Sequence, residues 1–517
     1  MMRQRASGVL LHPTSLPGPH GSGDLGGEAR AFVDFLAAAS QRWWQTLPLG
    51  PPGYGESPYS AQSAFAGNPL LVSLEELAKD GLLDPASLAP PASLRADRVD
   101  FPSMHAHRTH HLRAAFAAFE KDSSGPRARA FRGFCEEQAA WLDDFALFRA
   151  LKEAHGGVQW TLWEAGVRAR EPAALAAAKK ALAQPIAFER FLQFTFDAQW
   201  RALRAYAAAR GVGLIGDLPI FVAHDSADVW QHPEAFFLDD RGEPSFIAGV
   251  PPDYFSATGQ RWGNPLYRWN RHAADGYGWW IARLRMMLRR FDVVRLDHFI
   301  GFQRYWKIPA TEPNAVHGRW MKGPGAPFFE AVRAALGELP LIAEDLGEVT
   351  PAVFALRDRF RLPGIKILQF AFGNDRSAPS FLPHNYPRRA VVYTGTHDND
   401  TVVGWFRGGA GADTRSPEQV AIERAKALAY LGRHGVETEI HWDMIRAAFA
   451  SVARLALVPL QDVLGLGSEA RMNRPGQETG NWAWRFDAGA LTGATAARLA
   501  ELTRTYGRAR AREEQPR

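Results

Sequence analysis

The sequence predicts an α/β fold, a (β/α)8 TIM barrel with large insertions between barrel strands that form extra subdomains at the C-terminal face. Three observations predict it. Eight short aliphatic runs end in polar or charged residues, amphipathic stretches at helical spacing separate most of them, and 517 residues are ample for one barrel with insertions. The composition, 46% hydrophobic and 22% charged, excludes disordered and fibrous classes.

In chain order the runs are Gly8 to Pro13, Trp44 to Leu49, Val212 to Pro219, Val293 to Phe299, Leu341 to Leu346, Ile365 to Phe370, Val391 to His397 and Leu455 to Leu464. Strands buried on both faces read as such apolar runs. Helices are expected over Glu28 to Ala39, Phe188 to Arg210, Trp279 to Phe291, Pro327 to Leu336, Val353 to Phe360, Ile422 to Leu431 and Ala496 to Tyr506. The count of eight favours closure over a doubly wound open sheet. Residues 1–517 are read as a single catalytic barrel. Residues 52–185, rich in Ala with helical patterns, form a mostly helical insertion after strand 2; residues 224–278, rich in Trp, Tyr, Phe, Pro and Gly, form an extended loop insertion over the mouth after strand 3.

The net charge of +5 is small for this length, and its clusters, Arg285 to Arg290 and Arg508 to Arg517, are expected to be solvated surface, so no nucleic-acid partner is predicted. One cysteine, Cys135, forbids an intrachain disulfide and a Cys-based zinc site, and reads as a small buried hydrophobe. The first residues lack an apolar leader and no run of 18 apolar residues occurs, so the expected address is cytoplasmic, with no membrane partner.

Four strands deliver an acid at or just past their ends: Asp217 in Gly-Asp-Leu-Pro, Asp297 in Val-Arg-Leu-Asp-His, Glu344 in Ala-Glu-Asp-Leu-Gly and Asp398 in Thr-His-Asp-Asn-Asp. Any one alone reads better as a helix cap. Four in register, beside Arg295, His298 and His397, point to one pocket. Glycosyl transfer needs such a set: a nucleophilic carboxylate, a carboxyl kept protonated as general acid, and polar groups that grip sugar hydroxyls. Arg295, two residues before Asp297 on the same strand face, is placed to hold that carboxylate ionised. Glu344 needs a raised pKa, which burial and a nearby like charge supply. Asp345, on the opposite face, reads as structural.

The chain resembles the 4-α-glucanotransferases, the amylomaltase or disproportionating enzymes of glycoside hydrolase family 77 in the α-amylase superfamily. The resemblance is carried by Ser7-Gly-Val-Leu-Leu-His-Pro-Thr-Ser-Leu-Pro17, Tyr54-Gly-Glu-Ser-Pro-Tyr59, Gly216-Asp-Leu-Pro-Ile-Phe-Val-Ala-His-Asp225, Gly259-Gln-Arg-Trp-Gly-Asn-Pro265 and Arg471-Met-Asn-Arg-Pro-Gly476, together with the three carboxylate motifs. It implies Asp297 as nucleophile forming a covalent glucosyl enzyme, Glu344 as acid/base and Asp398 as the carboxylate that binds sugar hydroxyls. It assigns Arg295, His298, His397 and Asp217 to the subsite of the transferred glucose, Tyr59, Trp262, Gln260 and Asn473 to the donor and acceptor groove, and Tyr54 to glucan contact in the groove or at a second surface site. The implied substrates are maltooligosaccharides, amylose-like or glycogen-derived glucan, and glucose as acceptor. Rings stacked on pyranose faces suit such ligands. An α-glucan hydrolase or a silent glucan-binding scaffold would use the same residues. The chain departs from the family at Ile300, Val402 and Val403, where subsite affinity is expected to differ.

Gly21-Ser-Gly23-Asp-Leu-Gly26 matches a dinucleotide fingerprint but starts well after its strand, and no acid follows about 20 residues on, so it reads as a tight βα loop and no cofactor is predicted. His105, His107, His110 and His111 lack carboxylates at ligand spacing and read as surface residues; no obligatory metal is predicted.

Overall fold

The computed structural model describes residues 4–252, 256, 258–409, 415–433 and 439–509. Twelve strands are described: β1 (Ala6–Leu10), β2 (Trp43–Gln45), β3 (Gly213–Leu218), β4 (Phe246–Val250), β5 (Gln260–Pro265), β6 (Val293–Leu296), β7 (Arg304–Pro309), β8 (Arg319–Lys322), β9 (Leu341–Ala343), β10 (Gly364–Ile367), β11 (Ala390–Tyr393) and β12 (Leu455–Pro459). Eight of them, β1, β2, β3, β6, β9, β10, β11 and β12, pair in parallel in that order, and β12 returns to β1 to close the barrel. Each of the eight aliphatic runs thus contributes one barrel strand, and the open-sheet alternative falls.

Strand alternation sorts the core. Ala6, Trp43, Ile215, Val293, Ile342, Ile365, Ile367, Val391, Tyr393, Leu455 and Leu457 fill the interior, while Val9, Trp44, Leu214, Val294 and Leu296 point outward to the helices. The Trp43 side chain occupies space left by two glycines: a Cβ on Gly8 would stand 2.6 Å from its Cβ, and one on Gly213 would stand 2.5 Å from its ring. The expected helices form as Gly27–Ala38, Ala183–Ala209, Gly278–Arg290, Gly325–Leu336, Pro351–Arg359, Pro417–Tyr430 and Gly493–Thr505. Gly278–Arg290, for example, buries Trp280, Leu284 and Met287, a stripe at spacings of four and three.

Within 52–185 lie the long helices Phe101–Phe119 and Pro126–Ala154. Their Phe116, Phe145 and Phe148 belong to the same apolar cluster as Phe32, Trp44 and Leu214 of the barrel, so the segment shares the barrel's core. Residues 224–278 are not loop alone: β4 and β5 join β7 and β8 in an antiparallel sheet of order β5-β4-β7-β8. β4 and β5 are short and carry Gly249, Gly263 and Pro265, which hides them from a hydropathy reading.

Two surface expectations need correction. Arg508 is fully buried and caps carbonyls, and Arg290 is also buried, whereas Arg285 is exposed; the remainder of the basic tail, 510–517, lies outside the described residues. His111 is buried, and His107 faces His20 at 3.0 Å between ring nitrogens rather than open solvent. Ile300, Val402 and Val403 are all buried in the main core. Cys135 is half-buried against that core, and burial pushes its thiol up to about 11. No helix among the described residues is long and apolar enough to cross a membrane.

Candidate active site

Alternation that puts Ile215, Val293 and Ile342 in the barrel floor puts Asp217, Arg295 and Glu344, two residues further on, into the interior at the strand C-terminal ends. Asp217 and Arg295 are register partners on β3 and β6. The Arg295 Nη1 donates to both oxygens of Asp217 at 2.8 Å and to Asp297 Oδ1 at 2.9 Å. One guanidinium nitrogen therefore ties Asp297, whose side chain is 27% exposed, to the buried Asp217. Asp345 alternates outward, where it accepts from Arg357 Nη1 at 2.6 Å and from Ile365 N at 2.9 Å.

Glu344 is buried, and its carboxyl accepts from His298 N at 2.7 Å and Leu346 N at 3.0 Å. Burial is the largest influence and raises its pKa to about 8; the Asp297 charge adds to the rise, while Arg295 and the two backbone N–H groups oppose it. The carboxyl thus holds a proton at neutral pH. His298 adopts a left-handed conformation, φ 50°, sparsely populated for a residue with a Cβ. That turn aims its amide at Glu344, while burial lowers its ring pKa to about 4 and leaves it neutral.

Tyr59 reaches the same centre from the loop after β2, in a turn capped by the Ser57 hydroxyl. Its hydroxyl donates to Asp217 Oδ2 at 2.8 Å and stands 3.4 Å from His397 Nδ1, with the two rings stacked at 4.9 Å. Burial pushes the Tyr59 phenol well up, so it remains a donor. Past β11, His397 Nε2 lies 3.3 Å from Asp398 Oδ1, which also accepts from Asn473 Nδ2 at 2.6 Å. Trp262, on β5, sets its ring at 4.9 Å and edge-on to His298, and its Nε1 donates to Gln260 Oε1 at 3.1 Å. Its side of the strand is open, with Trp262 37% exposed. Tyr54 stands apart from this network, 76% exposed.

The expected residues therefore fall into linked groups: Asp217, Arg295, Asp297 and Tyr59; Glu344 with the His298 amide; His397, Asp398 and Asn473; and Trp262 with Gln260 against His298. Sequence reasoning missed Trp482, whose indole lies 5.9 Å from Tyr59 and 6.1 Å from His397 and whose φ is 64°. Nothing in Asn481-Trp-Ala-Trp484 announces that position. Among the described residues, no group of three or more His, Cys, Asp or Glu side chains is arranged to hold a metal ion.

A closed barrel with carboxylates on successive strand ends and aromatic loops beside them defines a carbohydrate-active (β/α)8 enzyme. The sequence profile of the glycoside hydrolase 77 family, described as 4-alpha-glucanotransferase, matches residues 11–492. The 4-alpha-glucanotransferase of Thermus thermophilus is 53% identical over 501 residues, covering 96% of this chain and 97% of that one. The Synechocystis 4-alpha-glucanotransferase is 49% identical over 511 residues, covering 98% and 99%. The solved amylomaltase of Streptococcus agalactiae, in complex with acarbose, superposes with a TM-score of 0.92 at 37% identity, covering 98% of this chain and 100% of that one. The chain belongs to the glycoside hydrolase 77 family and is a 4-alpha-glucanotransferase.

Proposed function

We propose that this enzyme moves α-1,4-glucan segments by a retaining double displacement in which Asp297 is the nucleophile and Glu344 the acid/base. The observation that carries the reading is the contrast between the two carboxyls: Asp297 is partly exposed and hydrogen-bonded to Arg295, while Glu344 is buried with its pKa raised to about 8. Opposed environments assign opposed roles. In the first step Asp297 attacks the anomeric carbon as Glu344 gives its proton to the glycosidic oxygen, and the shortened chain leaves. In the second, Glu344, now a carboxylate, takes the proton from the 4-hydroxyl of an acceptor, which displaces Asp297 and restores the α-configuration.

Asp398, held by His397 and Asn473, binds hydroxyls of the reacting glucose, and Asp217, Arg295, His298 and Tyr59 complete that subsite. Trp262 and Gln260, on the exposed strand β5, offer a ring and an amide to the next units, and Tyr54 provides an outlying glucan contact. The substrates are maltooligosaccharides and longer amylose-like or glycogen-derived chains, with glucose as the smallest acceptor. Residues 52–185 and 224–278 act as parts of one catalytic unit over the mouth, where they favour a bound sugar over water. The single cysteine suits the reducing cytoplasm.

Incubation with maltotriose tests the reaction. Glucose plus a ladder of longer oligomers at constant reducing ends is expected; rising reducing ends without a ladder would mean hydrolysis. Asp297→Asn is expected to abolish both the ladder and the covalent intermediate, and a variant that still disproportionates sinks the assignment.

A further inference from the structure

Asp462 lies immediately after β12 in the short helix Leu460–Val463 and is fully buried. Its Oδ2 accepts from the Thr394 hydroxyl at 2.5 Å, and its Oδ1 accepts from Val402 N at 2.7 Å. Those two donors bracket the segment 394–402, which carries His397 and Asp398. The buried carboxylate thus holds the start and the end of one loop at a fixed separation, with both oxygens used. Other bonds tie the loop's middle: Arg471 Nη2 donates to Asp398 O at 2.6 Å, Asn473 N to His397 O at 3.0 Å, and Gln369 Nε2 to Asp400 O at 2.8 Å. Gln369 N also donates to Thr394 O at 3.3 Å, so the bonds of Gln369 run from the loop's start to Asp400, while those of Asp462 run from its start to Val402.

We propose that Asp462 is a positioning residue for the transferase reaction, setting the place of Asp398 and His397 by clamping both ends of their loop. The proposal rests on the reading of Asp398 as a sugar-binding carboxylate. Burial raises the Asp462 pKa to about 6, with the nearby Asp400 charge adding to the rise and the Thr394 and Val402 donors opposing it. At neutral pH the group is mostly a carboxylate able to accept both bonds. Asp400 is itself engaged by the Ser468 hydroxyl at 2.6 Å. A group that grips hydroxyls most tightly in the transition state is sensitive to small displacements, which then appear in kcat before KM.

The experiment compares Asp462→Ala, Asp462→Asn, Thr394→Val and Asp398→Asn in the full chain, with kcat and KM measured on maltotriose and melting temperatures recorded. Asp462→Asn keeps an acceptor for Val402 N–H and can donate its amide to the Thr394 oxygen, so it restores the clamp that Asp462→Ala removes. The expected result is kcat lowered about tenfold or more in Asp462→Ala with KM changed by less than about threefold, and kcat within about threefold of the wild type in Asp462→Asn. An Asp462→Ala enzyme with unchanged kcat while Asp398→Asn is inactive overturns the clamp, as does an Asn variant no better than Ala. If Asp462→Ala does not fold, an unchanged kcat in Thr394→Val overturns it instead. Full activity in Asp398→Asn would bring down the reading of Asp398, separately from the clamp.

Discussion

At the residue scale, the chemistry depends on which carboxyl keeps its proton. Glu344 is held near pKa 8 because burial outweighs two backbone donors and the Arg295 charge. If it is the general acid, kcat/KM on maltotriose should stay level through pH 7 and fall tenfold per pH unit above about 8; a fall that begins at ordinary carboxylate pH would refute the assignment. Stability follows the same proton. The unfolded chain releases it near the usual 4.5 and the folded chain near 8, so the contribution of Glu344 to stability is fully present below about 4.5 and declines as pH rises through that window. Tyr59→Phe keeps the ring stacked on His397 but removes the donor to Asp217. A hydrogen bond to a charged group contributes about 1.5–3 kcal/mol, so kcat/KM should fall on the order of ten- to hundredfold. A lower melting temperature with unchanged kcat/KM would show the bond to be structural only. Asp217, Asp297, Glu344 and Asp398 were legible because strand ends converge in a barrel. The bond from Tyr59 to Asp217 was not, since 158 residues separate its ends.

At the element scale, the barrel strands were legible because parallel strands buried on both faces, such as Val391 to Tyr393, read as unbroken apolar runs. β4, β5, β7 and β8 escaped notice because antiparallel strands with one open face, such as Gln260–Pro265, carry polar residues and glycine. The Gly21 to Gly26 loop was legible as a tight turn, but not the reason for its shape. A Cβ on Gly23 would meet Pro13 O at 2.1 Å, and Arg108, from helix Phe101–Phe119, threads beneath the loop. The fully buried Arg108 donates to His20 O at 3.0 Å, Val72 O at 2.9 Å, Ser22 O at 2.9 Å and Asp24 Oδ2 at 3.2 Å. Arg108→Met strips these carbonyls and leaves Asp24 without its ion-pair partner, a change expected to cost about 3–5 kcal/mol. Thermal unfolding checks it: a melting temperature within a degree of the wild type would show that water replaces the side chain.

At the scale of the whole molecule, the two ends of the barrel divide the work between chemistry and closure. Asp217, Asp297, Glu344 and Asp398 sit at the strand C-terminal ends, whereas Arg508 seals the opposite end, where Ala6 of β1 pairs with Leu455 of β12. Its guanidinium donates to Phe449 O at 2.8 Å, Ala6 O at 2.9 Å, Ala453 O at 3.0 Å and Ser451 O at 3.1 Å. These carbonyls belong to the end of helix Ile440–Ala450, the turn that leads from it into β12 and the start of β1, so a single side chain joins the first strand to that helix and to the entry of the last strand. The sequence displayed only a run of basic residues near the end of the chain, and charge runs are usually solvated. Nothing in such a run marks Arg508 as an arginine that turns inward. Arg508→Met should leave these carbonyls without a donor and weaken closure by about 2–4 kcal/mol. The melting temperature should fall and hydrogen exchange should rise along Ala6–Leu10 and Leu455–Pro459, while kcat and KM measured well below the melting range stay at wild-type values. Loss of transferase activity at unchanged stability would mean that the closed end of the barrel communicates with the mouth, and that the division of labour proposed for the two faces is wrong.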